Sequence, residues 1–175
     1  MDKKILVAYA TKYGATAEIA EKIGEVLRQS ELVTDVLPAD RIRDLTPYRA
    51  VILGSAVYIF KWRKEAISFL KKHEQALAER PVWLFSSGPL SEGYPVEQLE
   101  GWRFPKAQQA IADRIRPREI AVFHGALDME KLNPIEKYMM SKFGSPVGDF
   151  RDWEAITTWA LSIADALKAA SEETI

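Results

Sequence analysis

Apolar positions along this chain follow two alternating rhythms. Short continuous runs rich in Val, Ile and Leu read as strands covered on both faces: KILVAY (4–9), AVILGS (50–55), VWLFSS (82–87) and EIAVFHG (119–125). A weaker run, LVTDVLP (32–38), alternates apolar and polar residues, as an edge strand does. Between the runs, apolar residues recur at helical spacing. Ile19, Ala20, Ile23, Val26 and Leu27 form one stripe; Ala66, Phe69, Leu70, His73 and Leu77 form a second. Ala107, Ile111 and Ile115 form a third, after the helix-starting Pro105. Trp153, Ile156, Ala160, Ile163 and Leu167 form the last, with Asp152 placed as its N-cap. Strand and helix alternate throughout, which predicts an α/β fold: a three-layer α-β-α, doubly wound, five-stranded parallel sheet. Right-handed crossovers put helices on both faces. Residues 1–175 are expected to form a single domain. Two segments depart from the rhythm: a long loop at 88–104 and an extra helical segment at 128–150.

In such sheets ligands bind beyond the carboxyl ends of the strands, where strand order reverses. The loop after the first strand is ATKYGAT (10–16). Thr11 and Thr16 offer hydroxyls, Gly14 allows close backbone approach, and Thr16 opens a helix whose free N–H groups favour an anion. The pattern fits a phosphate nest; it also fits a plain N-cap and turn glycine. The Gly-x-x-x-x-Gly-Lys-Ser/Thr loop of nucleoside triphosphatases is absent, as is the Gly-x-Gly-x-x-Gly of dinucleotide-binding turns. After the third strand, Ser55 and the backbone that follows it offer hydrogen bonds to a planar heterocycle, and Tyr58 is placed to stack on it. Phe60 and Trp62 are nearby candidates, or else they close the end of the sheet. Lys61, Arg63 and Lys64 are cations where a helix start favours anions, which hints at an anionic substrate or partner. The loop SSGPL (86–90) offers small residues and backbone amides to the edge of a ring.

Composition narrows the chemistry. The 175 residues are 47% apolar and 28% charged, ordinary values for a globular domain. Net charge is −1, from 24 basic and 25 acidic residues, so no basic surplus points to nucleic acid. Cysteine is absent, which excludes thiol catalysis, iron–sulfur clusters and disulfides. With two histidines, His73 and His124, a three-His metal site is excluded as well. His73 falls on a core-facing stripe, and nothing ties His124 to chemistry. The sequence gives no sign of a secretory signal or a bilayer-spanning run, so a cytoplasmic location is expected.

LVAYATKYGATAEIA, VILGSAVYIFKW and VWLFSSGPL, in this order and spacing, resemble the flavodoxin family. GSAVYIFKWRKEAISFLKKHEQAL, AVFHGALDMEKLNPIEKYMMSKF and GDFRDWEAITTWALSIADAL resemble more closely its branch of menaquinone-dependent protoporphyrinogen dehydrogenases. The resemblance implies strand order 2-1-3-4-5 and FMN as cofactor. It implies that Thr11, Lys12, Tyr13, Gly14, Ala15 and Thr16 hold the phosphate. The ring is then expected between Ser55, Ala56, Val57, Tyr58 and Ile59 on one side and Ser86, Ser87, Gly88, Pro89, Leu90 and Ser91 on the other. Two functions follow. In one, the chain oxidises a reduced organic substrate, a porphyrinogen among the candidates, and reduces a quinone. Tyr94, Trp102 and Arg103 would then wall the substrate site, and Arg103 and the cations at 61–64 would meet propionates. In the other, it is an electron shuttle that docks on a redox partner. Carrier flavodoxins are strongly acidic, and a net charge of −1 is not. Leu132, Ile135, Met139, Met140 and Phe143, with Lys131, Lys137 and Lys142, make an amphipathic stripe over 129–143. That stripe is expected either to pack on the domain's own helices or to give peripheral contact with an anionic membrane surface.

Overall fold

The computed structural model describes residues 3–88, 100–143 and 147–173. Its elements are β1 (Lys4–Ala10), α1 (Ala15–Gln29), β2 (Thr34–Pro38), β3 (Tyr48–Tyr58), β4 (Lys61–Trp62), α2 (Lys64–Ala78), β5 (Val82–Ser87), α3 (Gln109–Ile115), β6 (Glu119–Phe123), β7 (Ala126–Leu127), α4 (Pro134–Phe143), β8 (Gly148–Asp149) and α5 (Trp153–Glu172). The main sheet runs β2-β1-β3-β5-β6. Its neighbours are parallel, with Leu6 opposite Val51 and Leu53 opposite Leu84. With the two-residue β4 set aside, this is the expected order 2-1-3-4-5, and the weak alternating run forms an edge strand. β4 pairs antiparallel to the end of β3, and β7 pairs antiparallel to β8.

The strand pattern explains the layers. Successive strand residues point to opposite faces. Leu6 and Ala8 of β1 therefore join a core with Phe69, Leu70 and Leu77 of α2 and Ile111 of α3. Ile5 and Val7 join the opposite core, with Ile19, Ile23 and Leu27 of α1 and Ile163 of α5. All four β1 residues are within 1% of full burial, so the run has to be apolar throughout. Fully burying each such side chain contributes roughly 1.5–3 kcal/mol. Gly54 sits where β3 and β5 press together: a Cβ there would lie 1.9 Å from Phe85 Cζ.

The α1 and α2 stripes are buried as expected, and Asp152 caps α5 by accepting a hydrogen bond from the Ala155 N–H at 3.0 Å. Two expected stripe positions differ. Trp153 lies in the first turn of α5, exposed beside Arg151, with the guanidinium 4.7 Å from the ring centroid, and Trp159 takes the core position. Ala107 is exposed, because Lys106–Gln108 form a 3₁₀ turn that puts Ile111, Ala112 and Ile115 on the core side.

Candidate functional site

The β1–α1 turn reverses through Gly14, whose φ of 95° is a conformation that favours glycine. Its N–H donates to Thr11 Oγ1 at 3.0 Å, which closes the turn. Gly14 is also the N-cap of α1, so no side chain caps the helix. The first-turn N–H groups face the mouth of this turn, where a helix is electropositive. Thr16 is buried at 1% exposure in the first turn. Lys131 Nζ, at 3.9 Å, is the atom that a Cβ on Gly14 would meet, and no other atom of the described residues outside the turn itself lies within 4 Å of that position. An uncapped helix start, a left-handed glycine and clear space fit a phosphate.

The 128–150 segment packs over this turn. Lys131 donates to the Tyr13 carbonyl at 3.2 Å. Glu136 accepts from the Lys12 ammonium and bonds the Tyr13 hydroxyl. It also accepts from the Asn133 N–H at 3.1 Å, while Asn133 Oδ1 accepts from the Glu136 N–H at 2.8 Å, a reciprocal cap at the start of α4. The Lys12 ammonium first, and the two hydrogen bonds after it, pull the Glu136 carboxyl down to about 2. Burial first, then the bond to Glu136, raises the Tyr13 hydroxyl above its ordinary value. Arg151 reaches the Ala15 carbonyl at 3.3 Å and pairs with Glu18 and Asp149. Asn-Pro-x-Glu at 133–136 is a helix-start signal in the sequence, but the contact with a turn over a hundred residues earlier is not.

The second loop is a tight hairpin. Tyr58 pairs with Lys61 across Ile59 and Phe60, whose φ values are 50° and 57°. Two left-handed residues in a two-residue loop make a type I′ geometry, usually built from Asn and Gly. Tyr58, Ile59 and Phe60 are 74%, 73% and 55% exposed. Ala56 and Val57 lie half-buried on the rising strand. Ser55 is fully buried; its hydroxyl accepts from the Arg63 N–H and donates to the Ala56 carbonyl, both at 2.9 Å. It therefore ties the base of the hairpin. Trp62 is core: it is 3% exposed, its Nε1 donates to Ser86 Oγ at 2.8 Å, and its ring meets Phe104 edge-on at 4.9 Å. The 61–64 cations divide, since Arg63 pairs with Glu65 at 3.1 Å while Lys61 and Lys64 are exposed.

At the third loop, Ser86 is fully buried and donates to the Arg103 carbonyl at 2.9 Å. Ser87 is buried, and the Gly88 N–H donates to the Phe123 carbonyl at 2.8 Å. A Cβ on Gly88 would come 3.3 Å from Val57 Cβ, so the second and third loops touch. Pro89, Leu90, Ser91 and Tyr94 lie outside the described residues. Trp102 meets Phe60 edge-on at 6.0 Å, and Arg103 donates to the Ile120 carbonyl at 3.2 Å. His73 is buried against Phe69, and that burial lowers its pKa. His124 is buried at the end of β6.

The expected stripe over 129–143 splits between the 3₁₀ turn Met129–Lys131 and α4. Leu132 is buried, whereas Ile135, Tyr138 and Met139 are 75%, 63% and 49% exposed. Among the described residues no helix is long and apolar enough to cross a membrane.

The pattern of the Flavodoxin domain family matches residues 6–152. Protoporphyrinogen IX dehydrogenase [quinone] of Escherichia coli (strain K12) is 23% identical over 172 residues, covering 92% of this chain and 94% of that protein. A flavodoxin from the domain Archaea superposes with TM-score 0.62 at 14% identity, over 94% of this chain and 99% of that one. Oxidised flavodoxin 2 from Bacillus cereus gives 0.58 at 22% identity, over 94% and 99%. With the sheet order, the uncapped turn and the family match spanning most of its length, the chain belongs to the flavodoxin domain family and has its FMN-binding fold.

Proposed function

We propose that residues 1–175 act as one flavodoxin-like unit, an FMN oxidoreductase that takes electrons from a reduced organic substrate of the porphyrinogen class and delivers them to a quinone. The observation that carries this reading is the end-to-end relationship to a quinone-linked protoporphyrinogen dehydrogenase, which includes the 128–150 segment. When bound, FMN supplies the electron transfer. The chain's own residues hold and orient it. Residues 11–16 bind the phosphate through the first-turn N–H groups of α1 and the Thr11 and Thr16 hydroxyls. Tyr58, held out on its hairpin, covers one face of the ring. Ser86, Ser87 and Gly88 flank the other side; Pro89, Leu90 and Ser91, which the sequence also assigns to the ring site, lie outside the described residues. The Ser55 and Ser86 hydroxyls act by fixing the loops, since both are engaged within the protein. Exposed Lys61 and Lys64 are the cations that meet substrate carboxylates.

Quinones dissolve in membranes. The exposed Ile135, Tyr138 and Met139, with Lys137 and Lys142 beside them, form a surface that rests on anionic lipid at the inner face of the cell membrane. A second reading, an electron carrier that docks on a reductase, draws on the likeness of fold to flavodoxins. FMN-loaded protein is expected to oxidise protoporphyrinogen with a quinone acceptor. FMN loading and one-electron reduction, without turnover on any quinone, would establish the carrier instead. Ile135→Asp is expected to abolish co-sedimentation with anionic liposomes; unchanged co-sedimentation would remove the membrane contact.

A further inference from the structure

We propose that Lys131 is a phosphate-binding residue of the flavin site, and that the nucleotide cradle is therefore assembled from two distant parts of the chain. This rests on the FMN reading above. Lys131 Nζ lies 3.2 Å from the Tyr13 carbonyl and 3.9 Å from the position of a Cβ on Gly14. An ammonium has three donors, and one carbonyl occupies one of them. Two remain for an anion at the mouth of the helix. The other nearby cations are committed: Lys12 to Glu136, and Arg151 to Glu18 and Asp149. Lys131 makes no ion pair among the described residues, and its partner is a neutral carbonyl. No carboxylate of the described residues lies within ion-pair distance of its ammonium, which leaves it available to an anion at the turn. The Glu136 carboxylate, which would repel a phosphate, is neutralised by Lys12. The Asp128 side chain accepts from the Glu130 N–H at 2.9 Å and holds the 3₁₀ turn that carries Lys131. An ammonium so held selects for the phosphate and is indifferent to the ring.

The test separates phosphate from ring. Apoprotein is titrated with FMN and with riboflavin, following flavin fluorescence, for the wild type and for Lys131→Met, Lys131→Arg and the charge control Lys71→Met. A charge-assisted hydrogen bond predicts roughly 10- to 150-fold weaker FMN binding in Lys131→Met, with riboflavin binding unchanged. Lys131→Arg is expected to recover most of the loss, and the loss should shrink with added salt. Inorganic phosphate is expected to compete with FMN less well in Lys131→Met than in the wild type. Wild-type FMN affinity in Lys131→Met overturns the inference. So does an equal loss of FMN and riboflavin, which would make Lys131 only a support for the 128–150 segment. Wild-type protein that binds neither flavin overturns the FMN reading itself, a distinct failure.

Discussion

Removing one hydroxyl, in Ser86→Ala, tests how the two loops proposed to flank the flavin are held. Ser86 Oγ accepts from Trp62 Nε1 and donates to the Arg103 carbonyl, at 2.8 and 2.9 Å. It thus joins the end of β5 to the hairpin on one side and to the returning chain on the other. The substitution leaves almost no cavity, so the cost comes from stranded partners. The indole N–H of Trp62, in a side chain 3% exposed, has no water to turn to. An unsatisfied buried group costs about 1–3 kcal/mol, and the Arg103 carbonyl adds a smaller amount because water reaches it more easily. The expected loss is about 2–4 kcal/mol, a large share of an ordinary folding stability of about 5–15 kcal/mol. Melting should fall by roughly 5–15 °C for a chain of this size. Trp62→Phe in the same chain removes the stranded donor, so the double variant should cost less than the sum of the singles by about 1–2 kcal/mol. Urea unfolding of the four proteins measures this. In flavin titrations, Ser86→Ala should weaken FMN and riboflavin alike, because it loosens the ring side. Stability within about 0.5 kcal/mol of wild type, or strict additivity of the two substitutions, would refute the reasoning.

The Glu136 carboxyl, shifted from 4.5 to about 2 by Lys12 and its hydrogen bonds, adds stability that is complete above pH 4.5 and lost as pH falls toward 2. Its carboxyl resonance should titrate near 2 in the wild type and move back toward 4.5 in Lys12→Met; an unmoved midpoint would exclude Lys12 as the cause. Ile59→Asn with Phe60→Gly should stabilise the protein by about 1–3 kcal/mol in urea unfolding, by relieving two left-handed residues; a loss of stability would mean that those side chains are packed rather than strained. Gly54→Ala should cost upwards of about 2 kcal/mol, because its Cβ would fall inside Phe85. Pairing it with Phe85→Leu should return part of that, and no recovery would place the damage in the backbone.

Much of the sheet was legible because both faces of its strands are covered. Burial on both sides forces runs such as Ile5–Ala8 to be apolar at every position, and that signal is local. The α1 and α2 faces were legible for the same reason. The hairpin was not: Tyr58-Ile59-Phe60-Lys61 contains none of the Asn or Gly that marks a two-residue turn, and the bonds at its base, Arg63 N–H to Ser55 and Trp62 to Ser86, join residues distant in sequence. Trp62 looked equally suited to a ring contact or to the core, and only its bond to Ser86 decides. The β1–α1 turn could be read from Gly14 and from the strand and helix patterns on either side of it. Its cover could not, since Lys131 meets Tyr13 across 118 positions and looks from its neighbours like any surface lysine. The amphipathic stripe over 129–143 was visible, while its division is set by the break at Asn133: Leu132, at the end of the 3₁₀ turn, is buried, and Ile135, in the first turn of α4, is exposed.

α4 carries two attachments on one short rod: Glu136 grips the turn beneath, and Ile135, Tyr138 and Met139 look outward. Reciprocity of coupled equilibria then fixes a relation. With the nucleotide at that turn, as proposed, whatever settles on the outer side only while the rod is seated tightens the hold on it, and the nucleotide strengthens that settling by the same factor. On the two proposals above, departure of the flavin and departure from the lipid surface become one linked event, so protein washed off anionic liposomes should also lose its colour.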